Sequence, residues 1–162
     1  MVRNDRVVWA TSMVACGDAD GAVTGNTRRF GASLEKIKQV VDVRKGEIMF
    51  GLNMVINKGK TIFIADTSVH EYPTSEEMAE IAISAARVVR LFGIDPKIAF
   101  VSHSTFGQPL TSRTKHIRAA VDILKDKQVN FEFDGDMQPD VALNPDYEEL
   151  LSLIHISEPT RP

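Results

Sequence analysis

Five short segments of the chain place glycine, hydroxyl and carboxylate residues where a buried apolar run ends. They are Gly-Asp-Ala-Asp-Gly (17–21) with Val-Thr-Gly (23–25), Ile-Ala-Asp-Thr (64–67), Ser-His-Ser-Thr-Phe-Gly (102–107), Phe-Asp-Gly-Asp-Met (133–137) and Asp-Val-Ala-Leu-Asn (140–144). In α/β proteins, ligands bind at the carboxyl ends of strands, where loops supply glycine for tight backbone and polar groups for anions. The segments therefore indicate a site for an anionic ligand, built from several strand ends.

The hydroxyl-rich segment is the strongest single candidate for that site. Ser102, Ser104, Thr105 and Gly107 follow an apolar stretch that reads as a central strand. Hydroxyls and free backbone N–H groups after a strand can form a cradle for phosphate oxygens. The alternative is a loop whose hydroxyls only satisfy its own backbone, which is the commoner situation for an isolated Ser/Thr loop.

Two arginines offer a positive charge for the same ligand. Arg28 and Arg29 follow Thr24-Gly25-Asn26 where a helix is predicted to start. Arginine recognises phosphate through two parallel hydrogen bonds, and a helix N-terminus adds a favourable field for anions. The alternative is a pair of solvated surface charges. That alternative is preferred for Arg29, whereas for Arg28 both interpretations stay open.

Other titratable residues lack the spacing of a metal or nucleophile site. Five aspartates fall at separate strand ends without the tight ligand spacing of a calcium loop, which favours turn and capping roles and predicts no metal: Asp18, Asp20, Asp66, Asp134 and Asp136. His103 is predicted to be a buried, hydrogen-bonded histidine, although it could instead meet an anion. Cys16 has no basic neighbour that would favour a thiolate, and we expect it to be inert.

Composition excludes several classes of protein. The 162 residues carry 19 Lys and Arg against 22 Asp and Glu, and 43% are hydrophobic. No basic, aromatic-interleaved cluster suggests nucleic-acid binding, and the apolar runs are too short to cross a bilayer. A single cysteine allows no disulfide framework. We therefore expect a cytoplasmic α/β protein without nucleic-acid or membrane partners.

The hydrophobic pattern alternates between helix and strand. It predicts helices from Val7 to Cys16, over 27–42, 75–92 and 111–127, and beginning at Tyr147–Leu150; it predicts strands at Ala22–Val23, 47–56, 61–65, 97–102 and 131–133. Asn57 to Lys60 reads as a hairpin turn, and Thr74 or Ser75 as a helix cap. Alternating elements imply parallel strands joined by crossover helices. We expect strands 61–65 and 97–102 to lie side by side.

In this order and spacing, the segments resemble the phosphate acetyl/butyryl transferase family over about residues 7–150. They are most similar to the phosphotransacetylase-like domain at the C-terminus of bacterial NADP-dependent malic enzymes. The features that favour the malic-enzyme version are Asp18-Ala-Asp-Gly21 with Val-Thr-Gly, Arg28-Arg29-Phe30, Ser104-Thr-Phe-Gly107, and Phe133-Asp-Gly-Asp-Met137 with Asp140-Val-Ala-Leu143. The resemblance implies a truncated phosphotransacetylase-like layered fold, similar to isocitrate and isopropylmalate dehydrogenases. Residues 1–42 would be part of a first α/β domain and 43–150 most of a second.

The resemblance also implies a function. The chain would be a non-catalytic, regulatory piece of a malic enzyme that binds acetyl-CoA or acyl phosphate. The residues expected to bind this ligand are Thr24, Gly25, Arg28, Ser102, Ser104, Thr105 and Gly107. NADP would be bound elsewhere in the parent, which we expect to be a homo-oligomer. The alternative is a piece of a phosphate acetyltransferase, whose Asp, Arg and Ser catalysts would lie beyond Leu150. A non-enzymatic interaction domain has no positive support.

The last twelve residues follow a different pattern. The segment Leu-Ser-Leu-Ile-His-Ile-Ser-Glu-Pro-Thr-Arg-Pro (151–162) resembles the translation of a sequencing-library adapter that begins CTG TCT CTT ATA CAC ATC. The alternative is a short amphipathic helix that ends at Glu-Pro. We expect the adapter origin and exclude 151–162 from reasoning about the fold.

Overall fold

The structure, a computed structural model, describes residues 5–57, 59–106 and 110–144. The chain divides into two compact units, Met1–Gly46 and Glu47–Pro162. The predicted domains, 1–42 and 43–150, stay a prediction. The predicted helix start at 147–150, the segment 151–162, Lys58 of the hairpin turn and Gly107 of the serine-rich segment lie outside the described residues.

The first unit contains two helices. Helix α1 spans Arg6–Ala15, and its N-cap is Asp5, whose carboxylate accepts hydrogen bonds from the backbone N–H groups of Val7 and Val8. The side chains of Val7 and Val8 are buried, as the apolar pattern predicts. Helix α2 spans Phe30–Lys38 and is shorter at both ends than the predicted 27–42.

The predicted strand at Ala22–Val23 is wrong. Neither residue belongs to a strand, and the side chain of Val23 is fully exposed. Two apolar residues between Gly21 and Thr24 provide neither the length nor the alternation that a paired strand needs. The segment between the two helices is instead an exposed loop.

The second unit begins with an antiparallel hairpin. Strand β1 spans Leu52–Asn57 and pairs with strand β2, Lys60–Ala65, with Asn57 opposite Lys60 and Leu52 opposite Ala65. The hairpin prediction is confirmed. Strand β1 starts later than the predicted 47–56, because the chain up to Gly51 is not part of the ladder.

A crossover unit follows the hairpin. Helix α3 spans Ser75–Leu91, strand β3 Lys97–Val101, helix α4 Ser112–Asp126 and strand β4 Glu132–Met137. Strands β3 and β4 run parallel, with Lys97 opposite Glu132 and Val101 opposite Met137. A short helix, α5, spans Pro139–Leu143. The parallel pairing and the crossover helix predicted from the alternating pattern are confirmed for β3, α4 and β4.

The predicted pairing of 61–65 with 97–102 is wrong within the described residues. Strand β2 pairs with β1 and strand β3 pairs with β4, as two separate two-stranded sheets. A cavity of about 520 Å³ is lined by both β2 and β3 and by the apolar face of α3, including Ile81 and Ala85. Each of these two strands thus borders open space where the prediction placed its neighbour.

Helices α3 and α4 bury the core against β3 and β4. Fully buried Ala79 and Leu124 form its centre with Ala82, and Ile98, Phe100, Phe131 and Phe133 pack around them. Thr74 caps α3 through a capping box with Glu77, which confirms the predicted cap, and Thr111 forms a similar box with Thr114 at α4. Among the described residues, no helix is long and apolar enough to cross a bilayer.

Candidate functional site

The segment 102–106, here called the serine loop, follows β3 and is fastened to the end of β4. Because β3 and β4 are parallel, their carboxyl ends meet at one edge. The backbone N–H of Ser102 donates to the carbonyl of Met137 at 2.9 Å, and that of Phe106 donates to the carbonyl of Asp136 at 2.7 Å. The side chain of Gln138 also donates to the carbonyl of His103 at 3.2 Å. The serine loop is therefore anchored at both ends and in the middle.

Two of the predicted hydroxyls are used inside this loop. The hydroxyl of Ser102 accepts a hydrogen bond from the backbone N–H of Ser104 at 2.9 Å and lies 3.1 Å from the Ser104 carbonyl. Ser104 is fully buried, and its hydroxyl donates to the carboxylate of Asp136. The side-chain bonding weighed from sequence as the alternative is thus present at both serines. Their role in anion binding stays a prediction.

Asp136 links the serine loop to helix α4. Its side chain has no exposed surface, and one carboxylate oxygen lies 3.4 Å from the Nε of Arg118. The other oxygen accepts from Ser104. Arginine is a common partner for a buried carboxylate because its guanidinium combines charge with hydrogen-bond donors. One buried carboxylate thus joins the end of β3, the end of β4 and the middle of α4.

A second buried carboxylate, Asp66, lies directly after β2. Its side chain is only 3% exposed. Four backbone N–H groups donate to it, from Gly51, Ser68, Val69 and His70, at distances between 2.8 and 3.1 Å. The ring Nδ1 of His70 also lies 2.7 Å from the carboxylate. Asp66 therefore organises the loop that follows β2, and it also lines the cavity between the sheets.

The hydrogen bonds dominate the protonation of Asp66. Burial raises the pKa of its carboxyl. The hydrogen bonds from the N–H groups of Ser68 and Gly51, from the His70 side chain and from the Val69 N–H lower the pKa by more than burial raises it, to about 2. Since an ionised carboxylate only accepts, His70 donates to it from Nδ1. The contact thus fixes the orientation of a half-buried histidine.

The predicted residues of the first unit lie in its exposed loop. Thr24 and Gly25 are exposed, and Arg28 precedes α2 by two residues. A guanidinium nitrogen of Arg28 lies 2.6 Å from the carboxylate of Asp5, and the hydrogen bond from Arg28 lowers the pKa of Asp5. Whether this loop and the serine loop share one ligand stays a prediction.

The structure corrects one prediction and supplies residues that the sequence did not single out. His103 is exposed and not buried, because β3 ends at Val101 and its inward–outward alternation does not continue through the loop. Arg118 was missed, since nothing in the sequence links it to Asp136, 18 residues away. His70 was missed as well, although its spacing of four from Asp66 was visible. Within the described ranges, no cluster of three or more His, Cys, Asp or Glu side chains could hold a metal ion.

A comparison of the sequence with protein families identifies the family of this chain. Residues 1–151 match the family model described as phosphate acetyl/butaryl transferase. The chain belongs to the phosphate acetyl/butaryl transferase family. The resemblance to this family that was predicted from the sequence is confirmed.

Relatives of two kinds share the family domain. The NADP-dependent malic enzyme of Rhizobium meliloti is 44% identical over 144 residues, which are 89% of this chain and 19% of the relative. A phosphate acetyltransferase of Nitratidesulfovibrio vulgaris is 31% identical over 88% of this chain and 20% of its own length. The chain therefore spans about a fifth of these relatives. In the malic enzymes the matched part is the C-terminal one.

Solved structures confirm the fold class. A phosphotransacetylase from Streptococcus pyogenes superposes with a TM-score of 0.77 at 27% identity, covering 88% of this chain and 44% of the other. The EutD phosphotransacetylase of Staphylococcus aureus gives 0.72 at 26% identity, covering 89% and 45%. The family member described here thus has a truncated phosphotransacetylase-like α/β fold.

Proposed function

We propose that this chain is the phosphotransacetylase-like module of an NADP-dependent malic enzyme, and that it binds acetyl-CoA or an acyl phosphate as an effector. The observation that carries the proposal is the serine loop, which is anchored to β4 at the carboxyl edge of a parallel strand pair. Ligands of open α/β sheets bind at this edge. NADP would be bound by other parts of the full-length enzyme.

The ligand class follows from the groups at that edge. Hydroxyl groups, backbone N–H groups and the guanidinium of Arg118 on α4 suit the oxygens of a phosphate or an acyl phosphate. The same groups suit the phosphates of a coenzyme. The greater identity to a malic enzyme, 44% against 31% for the phosphate acetyltransferase, favours the malic-enzyme parent.

A regulatory role requires that ligand binding here change the reaction at a second site. The test uses the full-length polypeptide that contains this sequence. Acetyl-CoA and acetyl phosphate are titrated by calorimetry, and malate oxidation is measured with and without each compound. We expect saturable binding and a change in the kinetics of malate oxidation. Absence of binding by both compounds would contradict the proposal.

Arg28 and Arg29 provide a matched pair for the first unit. We expect Arg28→Ala to weaken acetyl-CoA binding by about 1–3 kcal/mol, the scale of a lost charged hydrogen bond. Arg29→Ala, an adjacent exposed arginine, is the control and should bind like the wild type. Turnover of malate without effector should be the same in all three proteins. Unchanged affinity in Arg28→Ala would remove Arg28 from the site.

A phosphate acetyltransferase parent is the second candidate, favoured by the phosphotransacetylase structures that share the fold. Its reaction converts acetyl-CoA and phosphate to acetyl phosphate and CoA. Measurable acetyl phosphate formation by the full-length protein, together with no oxidation of malate, would establish this candidate instead. In either case we propose that the full-length protein is cytoplasmic and forms a homo-oligomer. Gel filtration with light scattering of the full-length protein tests the oligomeric state.

A further inference from the structure

The serine loop leaves few of its own hydroxyls for a ligand. The hydroxyls of Ser102 and Ser104 are bonded within the loop and to Asp136. The half-buried Thr105 is different, because its hydroxyl makes no hydrogen bond to any residue that the structure describes. An anion at this edge would therefore find one available hydroxyl, and its charge would need another partner.

Arg118 is placed to be that partner. Its Nε lies 3.4 Å from the carboxylate of Asp136, while its side chain is 46% exposed. Across the described ranges, its two terminal nitrogens have no acceptor. Because Asp136 is completely buried, its contact lies on the inner side of the guanidinium, while nearly half of the Arg118 side chain stays exposed. The positive charge is thus held in place at a ligand-accessible edge.

We propose that Arg118 binds the phosphate group of the ligand, with Thr105 as a second donor, and that Asp136 is the positioning residue that orients Arg118. The inference rests on the proposed function and names the groups that recognise the anion. A guanidinium recognises phosphate oxygens through its terminal nitrogens, in a planar geometry that lysine does not offer. The ligand class is therefore a phosphate monoester or an acyl phosphate.

Asp136 would act through Arg118 and not on the ligand. A buried carboxylate beside an anion would repel it, but the guanidinium lies against one oxygen and the hydroxyl of Ser104 against the other. The same carboxylate fixes the serine loop, so one residue sets the spacing between the hydroxyl of Thr105 and the charge of Arg118. This shared anchor distinguishes Arg118 from an ordinary surface arginine.

The test measures binding of acetyl phosphate to the full-length protein by calorimetry. We expect Arg118→Ala to weaken binding about 10- to 100-fold, as expected for loss of a charged hydrogen bond. Arg118→Lys should recover only part of the affinity, because it restores the charge without the fork. Lys115→Ala, an exposed charge on the same helix, is the matched control and should bind like the wild type. Unchanged affinity in Arg118→Ala, with wild-type binding intact, would overturn this inference alone. Failure of the wild type to bind acetyl phosphate while it binds acetyl-CoA would also overturn only this inference, whereas failure to bind either compound would overturn the proposed function and this inference with it.

A double-mutant cycle tests the role of Asp136. Asp136→Asn should weaken binding of acetyl phosphate in the wild-type background but have little further effect when Arg118 is already alanine. A purely structural role would give the same additional loss in both backgrounds and would overturn the assignment of Asp136. Circular dichroism of each variant confirms that the proteins compared are folded.

Discussion

Two carboxylates of the second unit, Asp66 and Asp136, each join several chain segments, and the side chain of each is buried at the end of a strand. Asp66 collects four backbone N–H groups and a histidine after β2, while Asp136 joins the serine loop, β4 and α4. From sequence, both belonged to a set of aspartates assigned to turns and caps. That interpretation describes Asp66 well, since Ser68 and Val69 form a tight turn around it. It did not anticipate a fully buried aspartate at 136.

Replacing Ser104 by alanine tests the buried pair at the residue scale. The change removes the hydroxyl that donates to Asp136 and leaves that buried carboxylate without one of its partners. We expect a loss of about 1–3 kcal/mol in the free energy of unfolding, measured with urea. Ser112→Ala, at an exposed position of α4, is the control and should change stability little. Equal stability of both variants would contradict the buried hydrogen bond.

Asp66 predicts a specific loss of stability in acid. Its pKa in the folded protein, about 2, lies below the ordinary 3.8. The stabilisation is therefore complete above about pH 5 and is lost as the pH falls toward 2. It amounts to about 2 kcal/mol, since one pKa unit corresponds to roughly 1.4 kcal/mol.

The measurement is urea unfolding at several pH values between 6 and 2. Asp66→Asn, which cannot ionise, should be less stable at neutral pH and should lose less stability between pH 4 and pH 2 than the wild type. Parallel curves for the two proteins over this interval would show that Asp66 does not have the lowered pKa.

At the scale of elements, local signals were sufficient where one face of a helix is buried. The stripe of α3, including Ile81, Ala82 and Val89, is buried as its spacing predicts. Strand β4 was predicted only as far as Phe133, because the following Asp-Gly-Asp lacks alternation. The strand nevertheless continues to Met137, and Gly135 permits this because a Cβ there would come within 2.7 Å of the Phe100 backbone. This part of β4 is specified by a close approach to β3 and not by an alternating apolar pattern, so the sequence did not predict it.

The capping box of α3 supplies a prediction at this scale. Thr74 accepts from the backbone N–H of Glu77 at 3.2 Å, and the Glu77 carboxylate accepts from the backbone N–H of Thr74 at 2.8 Å. Thr74→Ala should therefore lower the free energy of unfolding by about 1 kcal/mol, a typical cost of a lost N-cap. Thr74→Ser keeps the hydroxyl and is the control. A loss of the same size in both variants would rule out the cap as its cause.

For the whole molecule, the fold class was predictable from sequence but the pairing of its sheets was not. The order of helices and strands indicates a layered α/β protein, and the family predicted from the sequence is confirmed by the match over residues 1–151. Which strands become neighbours depends on contacts far apart along the chain. The prediction that β2 and β3 are neighbours was wrong for that reason.

The cavity between the two sheets leads to a prediction about association. Strands β2 and β3 border it with apolar side chains, and Val101 is half-exposed there. Open strand edges favour pairing with another chain. We expect the 162-residue chain to associate as its concentration rises, measured by sedimentation velocity. Val101→Lys should reduce the association, whereas Leu91→Lys, at an exposed apolar residue outside the cavity lining, should not. A monomer at all concentrations would contradict this expectation.

Gly51 and Asp66 are coupled by a hydrogen bond and by a close approach of their chain segments. The Gly51 N–H donates to Asp66, and a side chain at residue 51 would meet the Thr67 hydroxyl at 2.6 Å and the Asp66 carboxylate at 3.0 Å. A side chain at residue 51 therefore requires that the turn around Asp66 change its conformation. We therefore expect the two residues to vary together in an alignment, fifteen positions apart, and random mutagenesis with selection for folding to recover substitutions at Gly51 chiefly beside changes at 66 or 67.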